Sequence, residues 1–228
     1  MTHVLLLAAT PPELAPTVRW LRERAASTQR NELSFARCKV EVLFTGIGLT
    51  ATAYLLGNRF AQPPRPTLAI QAGIAGSYDR SIPLGTTVNV VSEALPDLGA
   101  EASDGCLLSL SDLGFSLDHP YDSEDGVLRP PGPRTLLPFP AVAGSSVQLT
   151  TGTEATRQQR LRRYPDLITE SMEGAAFFHG CLCAGVDGLQ LRAISNYVGT
   201  RDRSNWKINE AISSVNTALQ QVLTPFIS

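Results

Sequence analysis

The chain has 228 residues, a formal net charge of −2 at pH 7, 43% hydrophobic residues and 18% charged residues. It is long enough to bury a sizeable core and short enough to form one domain. With acidic and basic residues nearly balanced, it lacks the strongly basic surface that nucleic-acid-binding or membrane-binding proteins need, so neither partner is expected.

The cysteines and histidines give no sign of a metal site. The four cysteines, at positions 38, 106, 181 and 183, form no C-x-x-C motif, and there are only three histidines. No ligand set with zinc spacing can be assembled from them, so no metal and no other cofactor is expected. We interpret the cysteines as free thiols of a cytoplasmic protein. The apolar run near the N-terminus is too short for a signal peptide and indicates a buried first strand.

The first half of the chain alternates strand-like and helix-like segments. Continuous apolar runs indicate buried strands, and apolar residues at helical spacing indicate amphipathic helices. The predicted order is strand 4–9, helix 13–26, strand 40–44, glycine turn 45–48, helix 50–60, strand 67–71, glycine turn 73–76 and strand 86–91. Alternation of this kind predicts an α/β fold with a largely parallel sheet.

Residues 96–140 differ from the rest because they are rich in proline, glycine and acidic residues and show little periodicity. We interpret this segment as a long surface insert that could serve as a lid, and not as a domain boundary, so that residues 1–228 form one domain. Regular structure is predicted to resume with strand 142–150, helix 154–163, helix 170–185, strand 188–196 and helix 208–223.

Three polar residues are predicted to follow or end strands, at the sheet edge where α/β proteins bind ligands. Glu13 and Asn196 each have an alternative explanation, as a first-turn helix carboxylate and a turn former respectively. Glu173 is harder to explain structurally, because it begins a helix of small and aromatic residues in which an unpaired carboxylate is costly. Together the three residues predict a cleft with two carboxylates and an amide. The glycine turns could add backbone donors there or could simply allow tight packing.

Five motifs carry a family resemblance: A-A-T-P-P-E, T-G-I-G, G-I-A-G-S, S-M-E-G-A-A-F and R-A-I-S-N-Y-V-G. In this order they resemble the purine nucleosidase branch of the nucleoside phosphorylase and nucleosidase superfamily. Within that branch the chain is similar to the futalosine hydrolases of the alternative menaquinone pathway, through A-T-P-P-E, D-L-G-A-E at 97–101 and S-N-Y-V at 195–198. The resemblance implies a three-layer α/β/α fold around a mixed, largely parallel sheet, and a homodimer or higher homo-oligomer.

The resemblance also implies roles for individual residues. Glu173 would hold the ribose hydroxyls with Met172 packed under the sugar, Glu13 would activate the attacking water, and Asn196 would face the N7 side of the purine. Further substrate-binding positions are expected at Gly46, Ile74, Ala75, Gly76, Ser171, Ser195 and Arg201. These roles suit N-glycosidic cleavage, which passes through a transition state with positive charge on the sugar.

Three residues depart from the pattern of the adenine-cleaving relatives, and these departures bear on which purine the protein releases. Asn196 replaces an aspartate, Ser171 a glutamate and Ile74 a serine. Because an amide cannot act as an acid, a 6-oxopurine is expected, which fits release of hypoxanthine from futalosine. The benzoate carboxylate of futalosine could bind Arg201 and Arg203 near Trp206, although a solvated surface charge run is the competing explanation.

Other functions remain open from the sequence. One is a nucleosidase or phosphorylase for inosine, methylthioadenosine or aminodeoxyfutalosine, although no arginine-containing phosphate turn follows the first strand. Another is a non-catalytic nucleoside-binding protein, which would have little use for Glu13.

Overall fold

The computed structural model describes residues 1–115, 126–130 and 137–227, which contain eleven strands and five α-helices. The strands are β1 (Thr2–Ala8), β2 (Ser27–Gln29), β3 (Glu32–Ser34), β4 (Cys38–Phe44), β5 (Leu68–Ser77), β6 (Thr87–Ala94), β7 (Ala100–Glu101), β8 (Leu107–Leu108), β9 (Ala141–Ser146), β10 (Leu167–Ser171) and β11 (Asp187–Tyr197). The helices are α1 (Pro11–Arg22), α2 (Leu49–Ala61), α3 (Glu154–Arg163), α4 (Gly174–Ala184) and α5 (Ile208–Ile227).

Nine strands form one mixed sheet in the order β10-β9-β6-β11-β5-β1-β4-β3-β2. The four central strands β11, β5, β1 and β4 are parallel, whereas β6 runs antiparallel to β11. Strand β10 pairs with both β9 and β5, so that β5, β11, β6, β9 and β10 close into a ring. The mixed, largely parallel sheet expected from the resemblance is confirmed.

Alternating side chains of β1 show how the layers arise, because successive residues of a strand point to opposite faces. Val4, Leu6 and Ala8 join the cluster that contains buried residues of α1 and α5. Leu5 and Leu7 join the cluster that contains buried residues of α2 and α4. The sheet therefore lies between two helical layers, as the α/β/α prediction requires.

Two predicted elements were wrong. Residues 73–76 do not form a turn but continue β5 to Ser77, since the missing side chains at Gly73 and Gly76 make room for neighbouring side chains within the sheet. Residues 167–171 form strand β10, and the helix predicted for 170–185 begins only at Gly174. In both cases pairing with other strands overrides the local pattern. The sequence reasoning also missed the short β2–β3 hairpin.

The insert at 96–140 is more integrated than a surface excursion. Leu128 exchanges backbone hydrogen bonds with Glu93 of β6 and is fully buried. Strands β7 and β8 form a small separate hairpin within the insert. Residues 116–125 and 131–136 of the insert lie outside the described residues, and its role as a lid stays a prediction. Within the described ranges, none of the helices is both long and apolar enough to span a membrane.

Candidate active site

Glu173 lies between β10 and α4 and is the N-cap residue of that helix. Its side chain is buried, with the residue only 5% exposed. Oε1 accepts a hydrogen bond from the Gly48 amide at 3.1 Å, and Oε2 lies 3.4 Å from a guanidinium nitrogen of Arg192. The carboxylate that sequence reasoning left unpartnered therefore has a counter-charge within the chain.

Arg192 is the main site residue that sequence reasoning missed, although it was part of the quoted R-A-I-S-N motif. It lies in β11 with only 2% of its surface exposed. Besides Glu173, its guanidinium donates to the Oε1 atoms of Gln190 at 2.9 Å and Gln71 at 3.1 Å. An arginine in the middle of a strand that was expected to be buried was the available signal, because a buried arginine requires acceptors on several sides.

Glu13 occupies the third position of α1, where it caps the helix. Its Oε2 accepts hydrogen bonds from the amide and the hydroxyl of Thr10, both at 2.9 Å. Its Oε1 has a single longer hydrogen bond, from the Ile74 amide at 3.3 Å. The helix-end explanation for Glu13 therefore holds for one oxygen, while the other points toward β5 and the interior of the site.

Gly73 brings the Glu13 and Glu173 sides of the site together. A Cβ atom at this position would lie 2.6 Å from Oε1 of Glu13 and 2.8 Å from Nη1 of Arg192, distances too short for any real contact. The absence of a side chain therefore leaves the space over the β5 backbone to the Glu13 carboxylate and the Arg192 guanidinium. Arg192, which binds Glu173, thus lies on the same side of β5 as the Glu13 carboxylate.

Asn196 is positioned by a β-bulge in β11. Ile194 pairs with Ala75 and Asn196 with Gly76, so that Ser195 is the extra residue. The Ser195 hydroxyl donates to Oδ1 of Asn196 at 2.8 Å, and Nδ2 donates to the Tyr197 carbonyl at 3.3 Å. Bulges of this kind re-aim side chains next to functional sites. The amide oxygen is thus held internally, and the NH₂ end lies beside Gly76.

The remaining predicted contact residues surround these residues. Ile74 accepts from Arg192 through its carbonyl, and the Ala75 carbonyl accepts from Ser195. Ser171 is buried with its hydroxyl 3.5 Å from that of Ser146. The Gly46 amide donates to the Ala9 carbonyl, and the Gly48 amide of the same turn donates to Glu173, so both amides are used within the chain. The role of Gly46 in substrate binding stays a prediction.

Comparison with known proteins agrees with this geometry. The chain is 36% identical over 226 residues to a futalosine hydrolase of Streptomyces coelicolor, covering 95% of this chain and 93% of the relative. It is 33% identical over 186 residues to a futalosine hydrolase of Thermus thermophilus, covering 79% and 80%. No family model matches the chain.

The chain belongs to the futalosine hydrolase family. Solved structures show the same fold at low identity. A futalosine hydrolase of Helicobacter pylori superposes with a TM-score of 0.79 at 14% identity, covering 98% of both chains. A 5'-methylthioadenosine/S-adenosylhomocysteine nucleosidase of Neisseria meningitidis, in complex with methylthio-immucillin-A, superposes with a TM-score of 0.77 at 15% identity, covering 99% of this chain and 100% of that one.

This futalosine hydrolase family member also buries three carboxyl groups that sequence reasoning did not single out, and one of them, Glu41, forms an ion pair with Arg59. Glu170 of β10 is fully compensated, since it accepts from Tyr78, Thr151 and the Arg160 guanidinium. Glu93 of β6 is less well compensated. Burial raises the pKa of Glu93 to about 7, although the nearby Arg192 guanidinium lowers it.

Arg201 lies in the loop after β11, and this loop returns to the site where the Lys207 amide donates to the Ser195 carbonyl. The guanidinium groups of Arg201 and Arg203 lie 5.3 and 5.7 Å from the ring centre of Trp206. Arg201 also donates to the Thr150 hydroxyl at 3.2 Å. The loop therefore presents two cations and an indole at the surface beside Ser195 and Asn196.

A metal cluster or a surface groove on α1 would be an alternative to this site. In the described part of the chain, no group of three or more histidine, cysteine or acidic residues is arranged to hold a metal ion. A groove of about 520 Å³ lies along the outer face of α1, and none of the predicted site residues lines it.

The close approach at Gly73 generates a prediction. Gly73→Ala should lower kcat/KM by about 100-fold or more, because the new methyl group must push the Glu13 carboxylate away from the Arg192 guanidinium. Gly180→Ala in α4 is the matched control, since its Cβ would make only ordinary contacts of 3.6 Å and alanine favours a helix. Steady-state kinetics on both variants tests this expectation, and circular dichroism verifies that both variants are folded. Wild-type kinetics for Gly73→Ala would show that this approach is not needed.

Proposed function

We propose that the protein hydrolyses the N-glycosidic bond of futalosine, releasing hypoxanthine and dehypoxanthine futalosine in the alternative menaquinone pathway. Membership of the futalosine hydrolase family supports this activity. The observation that carries the mechanism is the buried Arg192, which binds Glu173 and shares the space over Gly73 with the Glu13 carboxylate. Each of the predicted catalytic residues suits one part of a purine nucleoside.

Glu173 is the proposed ribose ligand. Its two oxygens are fixed by the Gly48 amide and by Arg192, so the carboxylate is already oriented before a sugar hydroxyl binds. As the glycosidic bond breaks, positive charge develops on the sugar ring. A buried carboxylate bonded to a ribose hydroxyl stabilises that charge more than it stabilises the ground state, which lowers the barrier.

Glu13 is the proposed general base. The Thr10 donors occupy Oε2, whereas Oε1 has one long hydrogen bond and lies beside Arg192. A water molecule placed between Oε1 and the sugar could give its proton to Glu13 while its oxygen attacks the sugar. The role of Glu13 as a helix cap is compatible with catalysis, because capping fixes the position of the carboxylate.

Asn196 is the proposed reader of the purine. The Ser195 hydroxyl lies 2.8 Å from Oδ1, and one N–H of Nδ2 donates to the Tyr197 carbonyl, so the second N–H of the amide is the donor left for a ligand. A 6-oxopurine presents two acceptors on this edge, N7 and O6, whereas adenine presents an acceptor and an NH₂ donor. An amide that offers a donor therefore favours hypoxanthine over adenine as the leaving base. Met172, Ile74, Ala75, Gly76 and Ser171 are proposed to line the remaining sugar and base pocket.

Arg201, assisted by Arg203, is the proposed partner of the benzoate carboxylate of futalosine. The loop that presents both residues is attached at Ser195, next to the base reader, and guanidinium groups bind carboxylates well. Arg201→Ala should lose affinity for futalosine but not for inosine. A variant that binds futalosine as tightly as the wild type would contradict this assignment.

Water, rather than phosphate, is the proposed acceptor. Phosphorolysis requires an anion site next to the sugar. The arginine nearest to Glu13 along α1, Arg19, is exposed on the surface of that helix. The buried Arg192 is already bound to acceptors of the chain.

We further propose that residues 1–228 form one nucleosidase domain in the cytoplasm and assemble as a homodimer or higher homo-oligomer. The free cysteines support the compartment. The exposed residues of α2 are all uncharged, and near them Ile47 and Tyr54 are 64% and 68% exposed, as expected for a surface covered by a second copy. Sedimentation equilibrium tests this assembly, and a monomer at micromolar concentration would contradict it.

The first test is hydrolysis of futalosine with and without phosphate. The wild type should release hypoxanthine at the same rate in both conditions, and a requirement for phosphate would indicate a phosphorylase.

Glu13→Gln should lower the rate by about 10²- to 10⁴-fold while leaving ligand affinity nearly unchanged, because the amide keeps the acceptor for Thr10 but cannot take a proton. Glu154→Gln, at the exposed first turn of α3, is the matched control and should behave as wild type. Near-normal turnover by Glu13→Gln would leave Glu13 only its capping role.

The second test concerns the purine. Asn196→Asp should lower hypoxanthine release by about 100-fold or more, because a carboxylate next to O6 replaces a donor with an acceptor. Adenine release from an adenine nucleoside should rise only slightly, if at all, since Ile74 and Ser171 are unchanged. Asn209→Asp, exposed in the first turn of α5, serves as the control. Full futalosine cleavage by Asn196→Asp would show that this side chain does not read the base.

A further inference from the structure

Glu93 is a buried carboxyl group that the proposed mechanism does not use. It lies near the end of β6 and is 1% exposed. Its Oε2 accepts a hydrogen bond from the Ser146 hydroxyl at 3.0 Å, while no described group donates to Oε1. Glu170, by contrast, is equally buried but has an arginine and several donors. Leaving a carboxyl oxygen buried without a donor is costly, so the location of Glu93 needs an explanation.

The surroundings of Glu93 connect it to both ends of the Glu173–Arg192 pair. Its Oε1 fills the space over Gly174, the first residue of α4, where any Cβ would collide with it. Its partner Ser146 accepts a hydrogen bond from the Ala175 amide at 2.8 Å, which fixes the same helix start. The Gln190 side chain also lies against Gly174, and its Oε1 accepts from Nε of Arg192. Glu93 thus packs where α4 begins to present Glu173 and where Gln190 orients Arg192.

The charges around Glu93 determine whether its neutral or its ionised carboxyl group is favoured there. The charged groups that face it are Arg192 from β11 and Glu173 from the start of α4, while Ser146 from β9 and Gln190 from β11 are neutral. One guanidinium therefore serves two carboxyl groups. If Glu93 carried a charge, it would compete with Glu173 for Arg192 and would repel Glu173 directly. Burial raises the pKa of Glu93 to about 7, so the competing charge is absent in mildly acidic solution.

We propose that Glu93 is a positioning residue of the active site, whose protonated side chain braces the start of α4 and leaves the Arg192 guanidinium to Glu173. Ionisation of Glu93 then draws Arg192 away from Glu173 and weakens the hold on the ribose. Activity is therefore controlled by a proton on a group that does not touch the substrate. This inference rests on the proposed role of Glu173 in binding the sugar.

The decisive measurement is the pH dependence of kcat/KM for futalosine hydrolysis between pH 5.5 and 9. In the wild type it should fall by up to about tenfold per pH unit above the pKa of Glu93, about 7. In Glu93→Gln, whose neutral amide keeps an acceptor for Ser146 and cannot ionise, this fall should disappear. The variant should stay within about threefold of the wild type at pH 6. The same alkaline fall in both proteins, or a folded but inactive Glu93→Gln at pH 6, would overturn the proposal.

Two further measurements separate this inference from the proposed activity. Thermal unfolding needs no substrate. Because the pKa of Glu93 in the folded protein lies above its ordinary value of 4.5, the wild type should lose stability as the pH rises from about 4.5 to 7. Glu93→Gln should not share that loss, so its Tm should exceed that of the wild type increasingly up to pH 7. A difference in Tm between the two proteins that does not change with pH would contradict the presence of a proton on the buried Glu93. Glu93→Ala, if it folds, should lower kcat/KM at pH 6, where Glu93 of the wild type is protonated, because it removes the brace. Wild-type kinetics for this variant would count against the proposal.

Discussion

The guanidinium of Arg192 is enclosed by acceptors from two strands, β5 and β11, and from the N-cap residue of α4, and the arrangement of the site depends on it. Burying a single charge is expensive unless each of its donors is satisfied. Here Gln190, Gln71, the Ile74 carbonyl and Glu173 provide the acceptors. Removing the arginine would leave Glu173 buried without a counter-charge, a situation that costs about 3–5 kcal/mol in comparable pairs. The same contacts fix the position of Glu173, while the Ile74 amide, from the residue whose carbonyl accepts from Arg192, donates to Glu13.

Much of this fold could be predicted from the sequence because its signals are local. The apolar run of β1 and the amphipathic patterns of α1 and α5 reflect burial on one or two faces, which a single segment reveals. The G-I-A-G-S segment was misjudged for the opposite reason. Glycines usually indicate a turn, but Gly73 and Gly76 remain in β5 because the space they leave is filled by Glu13, Arg192, Asn196 and Val198. That requirement arises only once distant strands are paired.

For the site, as for the fold, features of a single segment could be predicted from the sequence, whereas contacts between distant segments could not. Glu13, Glu173 and Asn196 could be recognised as candidates because each follows or ends a strand near the same sheet edge. The partners of Glu173 and Glu13 could not be assigned, because Gly48 and Ile74 donate to them from segments far away in the chain. Glu93 gave no sequence signal, since nothing in the sequence shows that this acidic residue near the end of β6 is covered by its neighbours.

The ring formed by β5, β11, β6, β9 and β10 restricts how this chain can change length during evolution or engineering. In an open sheet, a one-residue deletion in an edge strand can be absorbed by sliding that strand. In a ring, each strand is paired on both sides, so a slip in β11 would have to be matched in all the other strands. Insertions and deletions are therefore confined to the connections, such as the long segment between β6 and β9. The residues that touch the sugar and the base can be exchanged, but their spacing along β5 and β11 is fixed.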